Sequence, residues 1–539
     1  MEYQKHFSTR TTPQAEAIPG SVQVANSAGG FSWAVDDWTR LDRFLVLGSE
    51  GGSYYASERT LTRENAEAVL RCVKADGART VARIVEISEA GRAPKNDPAL
   101  FALAMCAKLG DEATRRVAYE ALPRVARIGT HLYHFLSFVE GFGGWGRGLK
   151  RAVARWYTGR DAGKLAYDLV KYRQRDGWAH RDVLRLAHPT APSPEHQGLF
   201  HWTVKGERPE GNLPDVLDAF IAVQGATTDD EVVAVIAKCK ALPWEAIPTE
   251  RLGSAKVWEA LLPNLPVTAL VRNLGRMTAN GLIGSMSAAG RIVAERLADE
   301  GALRKARLHP LAVLVALKTY EQGRGERGKL TWEPVREVVD ALDKAFYLSF
   351  GTVTPTGKRL LLALDVSGSM GGPELAGMVG ITPRVGSAAM ALVTANVEKQ
   401  YEIVGFTAGQ SRTSHAGYGA AITRLAISPR QRLDDAVRTV SGLDFGGTDC
   451  ALPMLWAAEH KVPVDTFVVY TDSETWAGSV HPSQALRAYR EKMGIAAKSV
   501  VVSMVPNEFT IADPDDAGML DVVGFDTATP NVLADFAIQ

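Results

Sequence analysis

Hard oxygen ligands are concentrated in three short segments of the last third of the chain. The segment LLLALDVSGSM presents Asp365, Ser367 and Ser369 in the pattern DxSxS, and VVYTDSETW presents Asp472. Between these segments, the glycine-rich stretch FGGTDC supplies the hydroxyl of Thr448. Carboxylate and hydroxyl oxygens suit Mg²⁺, and a site with few carboxylates leaves coordination positions open for a further ligand. We therefore predict that these five side chains hold one divalent cation, and we expect this cation to be Mg²⁺.

Each part of this pattern also has a simpler interpretation. Asp and Ser favour turns and helix starts, so DVSGSM alone would be a weak signal. The order of the three segments favours the metal. Asp449 and Glu474 lie beside the predicted ligands, either as supporting carboxylates or as solvated loop charges. A nuclease usually clusters carboxylates around two ions about 4 Å apart, and two carboxylates with three hydroxyls disfavour that activity.

The elements that must position these ligands alternate between strands and helices from Lys358 onward. Short apolar runs such as RLLLALDV, TFVVYT and SVVVSMV are typical of buried parallel strands, and amphipathic segments separate them. The alternation predicts a doubly wound α/β sheet, in which ligands bind beyond the carboxyl ends of the strands. DxSxS, a distant Gly-Thr and an Asp at a strand end form the metal-ion-dependent adhesion site of von Willebrand factor A domains.

The first two thirds of the chain follow a different pattern. Segments such as RENAEAVLRCVKADG and DEATRRVAYEALPRVARIG have apolar residues at helical spacing and end at Gly or Pro. Successive helices with short breaks predict either a solenoid of helical pairs or an irregular all-α domain, and periodicity alone does not separate them. Residues 1–40 carry little periodicity, and we expect an extended arm there.

Composition limits the remaining possibilities. The chain of 539 residues is too long for one core. Residues 351–539 hold 14 Lys and Arg against 20 Asp and Glu, a net charge of −6; residues 1–350 therefore carry +6, because the whole chain is neutral. Four scattered cysteines form no CxxC pair, and no signal peptide or apolar span is present, so we expect buried thiols in a cytoplasmic protein.

One basic segment, KYRQRDGWAHRDVLRLAHP, combines cations with aromatic residues. Lys171 and Arg175 are four positions apart, and we expect them on one face of a helix. Phosphates attract cations and unpaired bases stack on planar side chains, so the pattern fits single-stranded RNA. A solvated helix face with Trp178 in the core explains the same pattern, and the residues alone favour it.

A resemblance to a known family favours RNA binding over the solvated helix face. The segments TPTGKRLLLALDVSGSM, FGGTDCALPMLWA and YTDSETW are similar to the A domain of the Ro autoantigen family. LDRFLVLGSEGGSYY, RIGTHLYHFL, KYRQRDGWAHRDVLRLAHP and PTERLGSAKVWEALLP resemble its helical TROVE domain. The resemblance implies an N-terminal arm over 1–24, a ring of HEAT-like helical repeats over 25–350, and a Rossmann-like A domain over 351–539 that closes the ring.

The resemblance also implies a function. Ro proteins are monomers that bind Y RNA on the outer surface and single-stranded 3′ ends of misfolded RNA in the central hole, for RNA quality control and without catalysis. In bacterial members, Y RNA tethers a 3′-exoribonuclease. The residues implied in RNA binding are Lys171, Arg173, Arg175, Arg181 and His188, with Arg147, Lys150 and Arg151 as a second, weaker stretch. The alternative is a Mg²⁺-dependent scaffold whose A domain grips an acidic protein.

Overall fold

The computed structural model describes residues 11–49, 57–306, 308–325, 329–350, 353, 355–372, 374–375, 378, 380–408, 421–428, 431–442, 446–526 and 528–538. Parts of three segments used for the resemblance lie outside the described residues, namely residues 50–55, Thr354 and Phe445, as do residues 1–10 of the predicted arm. Among the described residues, no helix combines the length and the apolar character needed to span a membrane.

Residues 37–349 form mainly helices, as the periodicity predicts. The helices are α1 (Asp37–Leu47), α2 (Glu58–Ala75), α3 (Gly77–Ala90), α4 (Asp97–Leu109), α5 (Glu112–Val125), α6 (Gly129–Gly141), α7 (Arg147–Thr158), α8 (Ala162–Lys171), α9 (His180–Ala187), α10 (Pro194–Lys205), α11 (Asp215–Gln224), α12 (Asp229–Lys238), α13 (Ala255–Leu261), α14 (Val267–Ala279), α15 (Ala288–Leu297), α16 (Glu300–Lys305), α17 (Pro310–Glu321) and α18 (Arg336–Ser349). Helices α3, α4, α5 and α7 each pack against the helix one or two positions further along the chain, which is the arrangement of a helical-repeat region.

Short side-chain caps define where many of these helices begin. Asp76, Asp111 and Asp161 each accept a hydrogen bond from the backbone amide three residues later, at the starts of α3, α5 and α8. These carboxylates satisfy one of the otherwise unpaired amides of a first helical turn. The breaks between helices are therefore encoded locally, while the buried apolar faces decide how the helices stack.

The A domain contains a six-stranded sheet with helices between its strands. Its strands are β5 (Leu360–Asp365), β6 (Tyr401–Phe406), β7 (Ile422–Arg424), β8 (Thr466–Thr471), β9 (Lys498–Ser503) and β11 (Met519–Val523). Its helices are α19 (Pro383–Val397), α20 (Leu433–Ser441), α21 (Leu452–Glu459), α22 (Pro482–Met493) and α23 (Thr529–Ile538). The strand order is β11-β9-β8-β5-β6-β7, parallel except for β7, which confirms the predicted doubly wound sheet.

The N-terminal arm forms strands that the sequence analysis did not predict. Strand β1 (Val24–Ala25) pairs antiparallel with β2 (Phe31–Ala34), and β2 pairs with β10 (Phe509–Thr510). The first compact unit therefore comprises residues 1–68, 309–311 and 350–539, and the second comprises 69–308 and 312–349. By their contacts, residues 25–68 group with the A domain, and the division at residues 349 and 350 lies next to the boundary predicted after residue 350.

Helix α1 is fixed to the A domain by a buried arginine. The Arg43 side chain is fully buried, and its guanidinium donates to both carboxylate oxygens of Asp521 on β11 over 2.8 Å. It also donates to the carbonyls of Asn507 and Phe509, at 2.8 and 2.9 Å. A bidentate pair with further carbonyl acceptors is a geometry that suits a buried guanidinium. All four cysteines are buried thiols, as predicted.

Candidate functional site

The five predicted metal ligands lie at one edge of the six-stranded sheet. Asp365 is the last residue of β5, and Asp472 directly follows β8, the strand that pairs with β5 in parallel. Because parallel strands end at the same edge, both carboxylates emerge together. Ser367 and Ser369 follow Asp365 and begin a short 3-10 turn at Gly368–Gly371. Gly368 donates to the carbonyl of Gly446 over 3.4 Å, which links this turn to the loop that carries Thr448.

Hydrogen bonds hold these side chains in a compact buried cluster. Asp365 accepts from the Ser367 amide at 2.9 Å and from the Thr471 hydroxyl at 2.7 Å. The hydroxyl oxygens of Ser367 and Ser369 are 3.1 Å apart. Every predicted ligand is at most 4% exposed. The fold itself therefore holds Asp365, Ser367 and Ser369 together, and Thr448 is buried in the neighbouring loop.

The electrostatics of this cluster fit a cation. Burial raises the pKa of Asp365, and burial together with the nearby Asp365 carboxylate raises the pKa of Asp472 to about 8. Arg384 opposes this effect for Asp365 only in part, and its guanidinium donates to the carbonyls of Val366 and Ser367 at 2.7 and 3.0 Å. Two buried carboxylates, one of which raises the pKa of the other, favour a divalent cation between them. The donor set fits Mg²⁺, and the ligand roles remain our prediction.

The N-terminal arm holds the two carboxylates that flank the predicted ligands. Asp449 accepts a hydrogen bond from Gln14 Nε2 at 2.7 Å. Glu474 accepts from the backbone amides of Ser27 and Ala28, at 2.8 and 3.2 Å. Asp449 is 8% and Glu474 2% exposed, so the solvated-charge interpretation is wrong for both. Burial raises the pKa of Asp449 to about 6 and that of Glu474 to about 7.

Two glycines allow the arm to approach these loops. A Cβ atom on Gly478 would lie 2.4 Å from both Asp449 Oδ1 and Gln14 Nε2. A Cβ on Gly30 would lie 2.0 Å from the carbonyl oxygen of Thr475. Neither position therefore tolerates a side chain without a shift of the backbone. The arm is built into the loops around the predicted metal site.

The predicted helical placement of Arg175 is wrong. Helix α8 ends at Lys171, and Arg175 lies on strand β3 (Gln174–Arg175), which pairs with β4 (Trp178–Ala179). Asp176 and Gly177 form the two-residue turn with φ of 51° and 79°. Asp-Gly is a strong signal for such a turn, because both central residues require positive φ. His134 secures the turn, since its Nδ1 lies 2.5 Å from Asp176 Oδ2.

Lys171 and Arg175 consequently have different environments. The Lys171 side chain is 12% exposed, and its Nζ lies 3.1 Å from the Tyr167 hydroxyl and 3.7 Å from Glu245 Oε1. Arg175 is 62% exposed and only 3.6 Å from its neighbour Asp176. The Arg173 guanidinium lies over the Phe220 ring, 5.3 Å from its centroid. Arg175 is thus accessible to a ligand, whereas the Lys171 side chain is largely buried and contacts Tyr167 and Glu245.

An exposed basic face lies on the short helix α9. Arg181 and Arg185 are one turn apart and both exposed, and His188 is exposed in a left-handed conformation at the C-terminal cap. Residues at spacings of four and three share a side of a helix. Below, the α9 face means Arg181, Arg185 and His188. Arg175 lies on the hairpin that precedes α9, and His188 lies at the C-terminal end of this eight-residue helix, which is about 12 Å long.

Trp178, one of the two aromatic residues of this segment, is buried and not available to stack on a base. Trp178 is 6% exposed, and its ring centroid lies 5.8 Å from that of Trp145. The core interpretation of Trp178 is therefore correct. Arg147, Lys150 and Arg151 lie in the first turns of α7, with Arg147 and Arg151 exposed and Lys150 half-buried.

Both the helical region and the A domain of this chain match models of known protein families. The Ro60 vWA domain model matches residues 359–537, and the TROVE domain model matches residues 24–208 and 239–319. The chain is 45% identical over 529 residues to the protein named RNA-binding protein RO60 of Deinococcus radiodurans, covering 97% of each. This chain belongs to the Ro60 family.

Two further similarities agree with the family assignment. A Caenorhabditis elegans protein with the same printed name is 34% identical over 594 residues, covering 95% of this chain and 90% of the relative. The crystal structure of the Deinococcus radiodurans RO (RSR) protein matches with a TM-score of 0.70 and 44% sequence identity. That match covers 93% of this Ro60 family member and 99% of the other chain.

Sequence reasoning missed two features of the candidate sites in this Ro60 family member. Arg185 was not selected, although its spacing of four from Arg181 and three from His188 places all three on one side of a helix. Gln14 was not selected either. No local pattern identifies it, because the hydrogen-bonding partners of its side chain lie more than 430 positions away in the sequence.

Proposed function

We propose that this protein binds noncoding RNA through exposed cations and presents it to other factors without cleaving it. The observation that carries the proposal is the α9 face, in which two exposed arginines and a histidine follow one side of a helix. Its setting in a TROVE domain of a Ro60 family member supports RNA as the ligand. In structural terms, phosphate contacts would come from the arginines, and His188 would contact a base or sugar.

The finer proposal concerns which RNA is bound and where. Single-stranded 3′ ends of misfolded RNA would enter the hole of the helical ring, and Y RNA would bind the outer surface. Such RNAs offer unpaired segments, whose phosphates and bases would be open to Arg175 and to the α9 face. The physiological outcome would be RNA quality control or processing in the cytoplasm, with a 3′-exoribonuclease as the factor that degrades presented RNA.

The metal site supports this function indirectly in our proposal. Asp365, Ser367, Ser369, Thr448 and Asp472 would hold Mg²⁺, and the cation would stabilise the loops at the edge of the sheet. A Mg²⁺-dependent grip on an acidic partner protein is the second candidate function. The observation that favours it is the cluster of buried oxygen ligands, because a partner carboxylate could complete the coordination of the cation.

Sequencing the RNA that copurifies with the intact chain tests the proposed function. We expect enrichment of noncoding RNAs with unpaired 3′ ends over abundant structured RNAs. Labelled single-stranded RNA incubated with the pure protein and Mg²⁺ should stay intact. Random RNA recovery, or turnover that disappears in Asp365→Ala, would overturn the proposal of specific binding without cleavage.

A further inference from the structure

A basic groove runs between helices α5 and α7 of the helical-repeat region. It has a volume of about 1110 Å³, and its lining includes five cationic side chains but only two carboxylates, those of Glu112 and Glu120. The cations are Lys108, Arg115, Arg116, Arg151 and Arg155. The groove therefore carries a net charge of +3. Of these residues, only Arg151 belongs to the basic stretch that the sequence analysis selected.

The four arginines of the groove are available to a ligand. All four are exposed, and within the described part of the chain none of them forms an ion pair. Arg151 and Arg155 are one turn apart on α7, and Arg115 and Arg116 are adjacent on α5. Guanidinium groups are planar donors that bind phosphate in a bidentate manner. The arrangement suits a chain of phosphates better than a single small anion.

The floor of the groove is fixed and built from small or anchored side chains. Gly148 approaches Tyr119 so closely that a Cβ atom there would lie 2.8 Å from the ring. The Tyr119 hydroxyl donates to the carbonyl of Ala107 over 3.1 Å, and Lys108 donates to the carbonyl of Gly144 over 2.6 Å. These contacts hold the Tyr119 and Lys108 side chains in place, whereas the four arginines of the groove are exposed.

The groove continues towards the α9 face. Thr190 is one of the residues that line the groove, and it follows His188 by only two positions. The Cα atoms of the two residues therefore lie at most about 7 Å apart. Helix α7 packs against α5 at the groove and also against α9. An RNA strand that passes His188 therefore reaches the groove within a short step.

We propose that the groove between α5 and α7 binds the phosphodiester backbone of the same RNA that contacts the α9 face. This inference rests on the proposed function, and it extends the RNA footprint to Arg115, Arg116 and Arg155. The chemistry recognised is the regular spacing of phosphates along a strand. Continuity with the α9 face favours RNA over an acidic peptide as the occupant.

The test compares two charge-matched double variants of the intact chain. Arg116→Ala/Arg155→Ala removes two groove cations, and Arg272→Ala/Arg291→Ala removes two exposed arginines of α14 and α15 outside the groove. Affinity for a long oligouridylate is measured as a function of salt concentration. We expect the slope of log affinity against log salt to fall by about 1.4 in the groove variant, since each lost contact to a single strand removes about 0.7. The control variant should retain the wild-type slope.

Additional variants and a competitor distinguish failure of the groove inference from failure of the proposed function. Arg116→Lys/Arg155→Lys keeps the charge and should restore most of the slope, and unchanged thermal midpoints should show that all variants fold. A groove variant with the wild-type slope, while α9-face variants weaken binding, overturns the groove inference alone. The groove inference is also overturned if the control variant Arg272→Ala/Arg291→Ala lowers the affinity and the salt slope as much as the groove variant does. Wild-type protein without salt-dependent RNA binding overturns the proposed function itself. Polyglutamate serves as a competitor with the same total charge as the oligouridylate. If it displaces the oligouridylate from the protein, the groove is assigned to acidic peptides instead.

Discussion

The carboxamide of Gln14 donates a hydrogen bond to Asp449 Oδ1 over 2.7 Å, although 435 positions separate the two residues. The same nitrogen donates to the Val480 carbonyl at 2.7 Å, and the carboxamide oxygen accepts from the hydroxyl of Thr475 and the amide of Gly478. Gln14 is fully buried. A single side chain of the arm therefore joins the loop after Thr448 to the loop after Asp472.

Replacement of Gln14 should loosen both loops. We expect Gln14→Ala to destabilise the A domain by about 1–3 kcal/mol, because buried polar groups lose their partners. Chemical denaturation of the intact chain, followed by a probe in the A domain, measures the change. Gln484→Ala is the matched control, since Gln484 also contacts the arm, at Thr12, but is half-buried. Equal destabilisation by the two variants would contradict the linking role of Gln14.

The metal prediction is tested at Asp365. In Asp365→Asn, the side-chain oxygen can still accept from the Ser367 amide, the new NH2 group can donate to the Thr471 hydroxyl, and the charge is lost. We expect Mg²⁺ to raise the stability of the wild type by about 2.7 kcal/mol at a hundredfold excess over Kd, and to have little effect on the variant. Thermal unfolding across a Mg²⁺ titration gives this comparison without any activity assay. Titration curves that coincide for both proteins would show that the cation does not bind at this cluster.

Acid should destabilise the helical-repeat region through His180. Burial lowers the pKa of His180 from 6.5 to about 3, and its Nδ1 lies 2.8 Å from the Tyr157 hydroxyl. The unfolded chain binds a proton below pH 6.5 that the folded chain does not bind. The stabilisation is therefore complete above pH 6.5 and is lost as the pH falls towards 3, by up to about 1.4 kcal/mol per pH unit.

The variant His180→Gln isolates this contribution. It should be less stable than the wild type at pH 7, because the ring packs against Trp156, Tyr157 and Tyr133. Its stability should nevertheless decline less steeply between pH 7 and pH 5, as measured by urea denaturation. Parallel pH profiles for the two proteins would mean that His180 does not titrate as its burial indicates.

Lys171 and Arg175 should respond differently to mutation. We expect Lys171→Ala to cost about 1 kcal/mol or more, since the stem is largely buried and Glu245 loses its partner, whereas Arg175→Ala should leave stability unchanged within about 0.5 kcal/mol. Lys171→Met retains the packing of the stem and separates the loss of charge from the loss of contact. Thermal unfolding of the three variants provides the measurement. Equal stability of Lys171→Ala and Arg175→Ala would contradict the difference in burial.

Local sequence signals were sufficient for most elements and for the positions of Asp365 and Asp472. Apolar periodicity identified the helices, and the strand runs ending at Asp365 and Asp472 placed both carboxylates at one edge of a parallel sheet. The hairpin at Asp176 and Gly177 was missed, because the basic spacing of the segment was weighed as helical while its Asp-Gly turn signal was not used. The arm was unpredictable for a different reason. The contacts of Gln14 are hydrogen bonds to distant loops, and these leave no periodic pattern in the sequence.

The central claim is that RNA phosphates contact the exposed cations of the α9 face. The most direct measurement is a salt titration of the affinity for a duplex RNA with a single-stranded 3′ tail, made on wild type, Arg181→Ala/Arg185→Ala and the control Arg272→Ala/Arg291→Ala. We predict that the slope of log affinity against log salt falls by about 1.4 in the α9 variant and stays at the wild-type value in the control. An α9 variant that binds as tightly as wild type at every salt concentration would contradict the account.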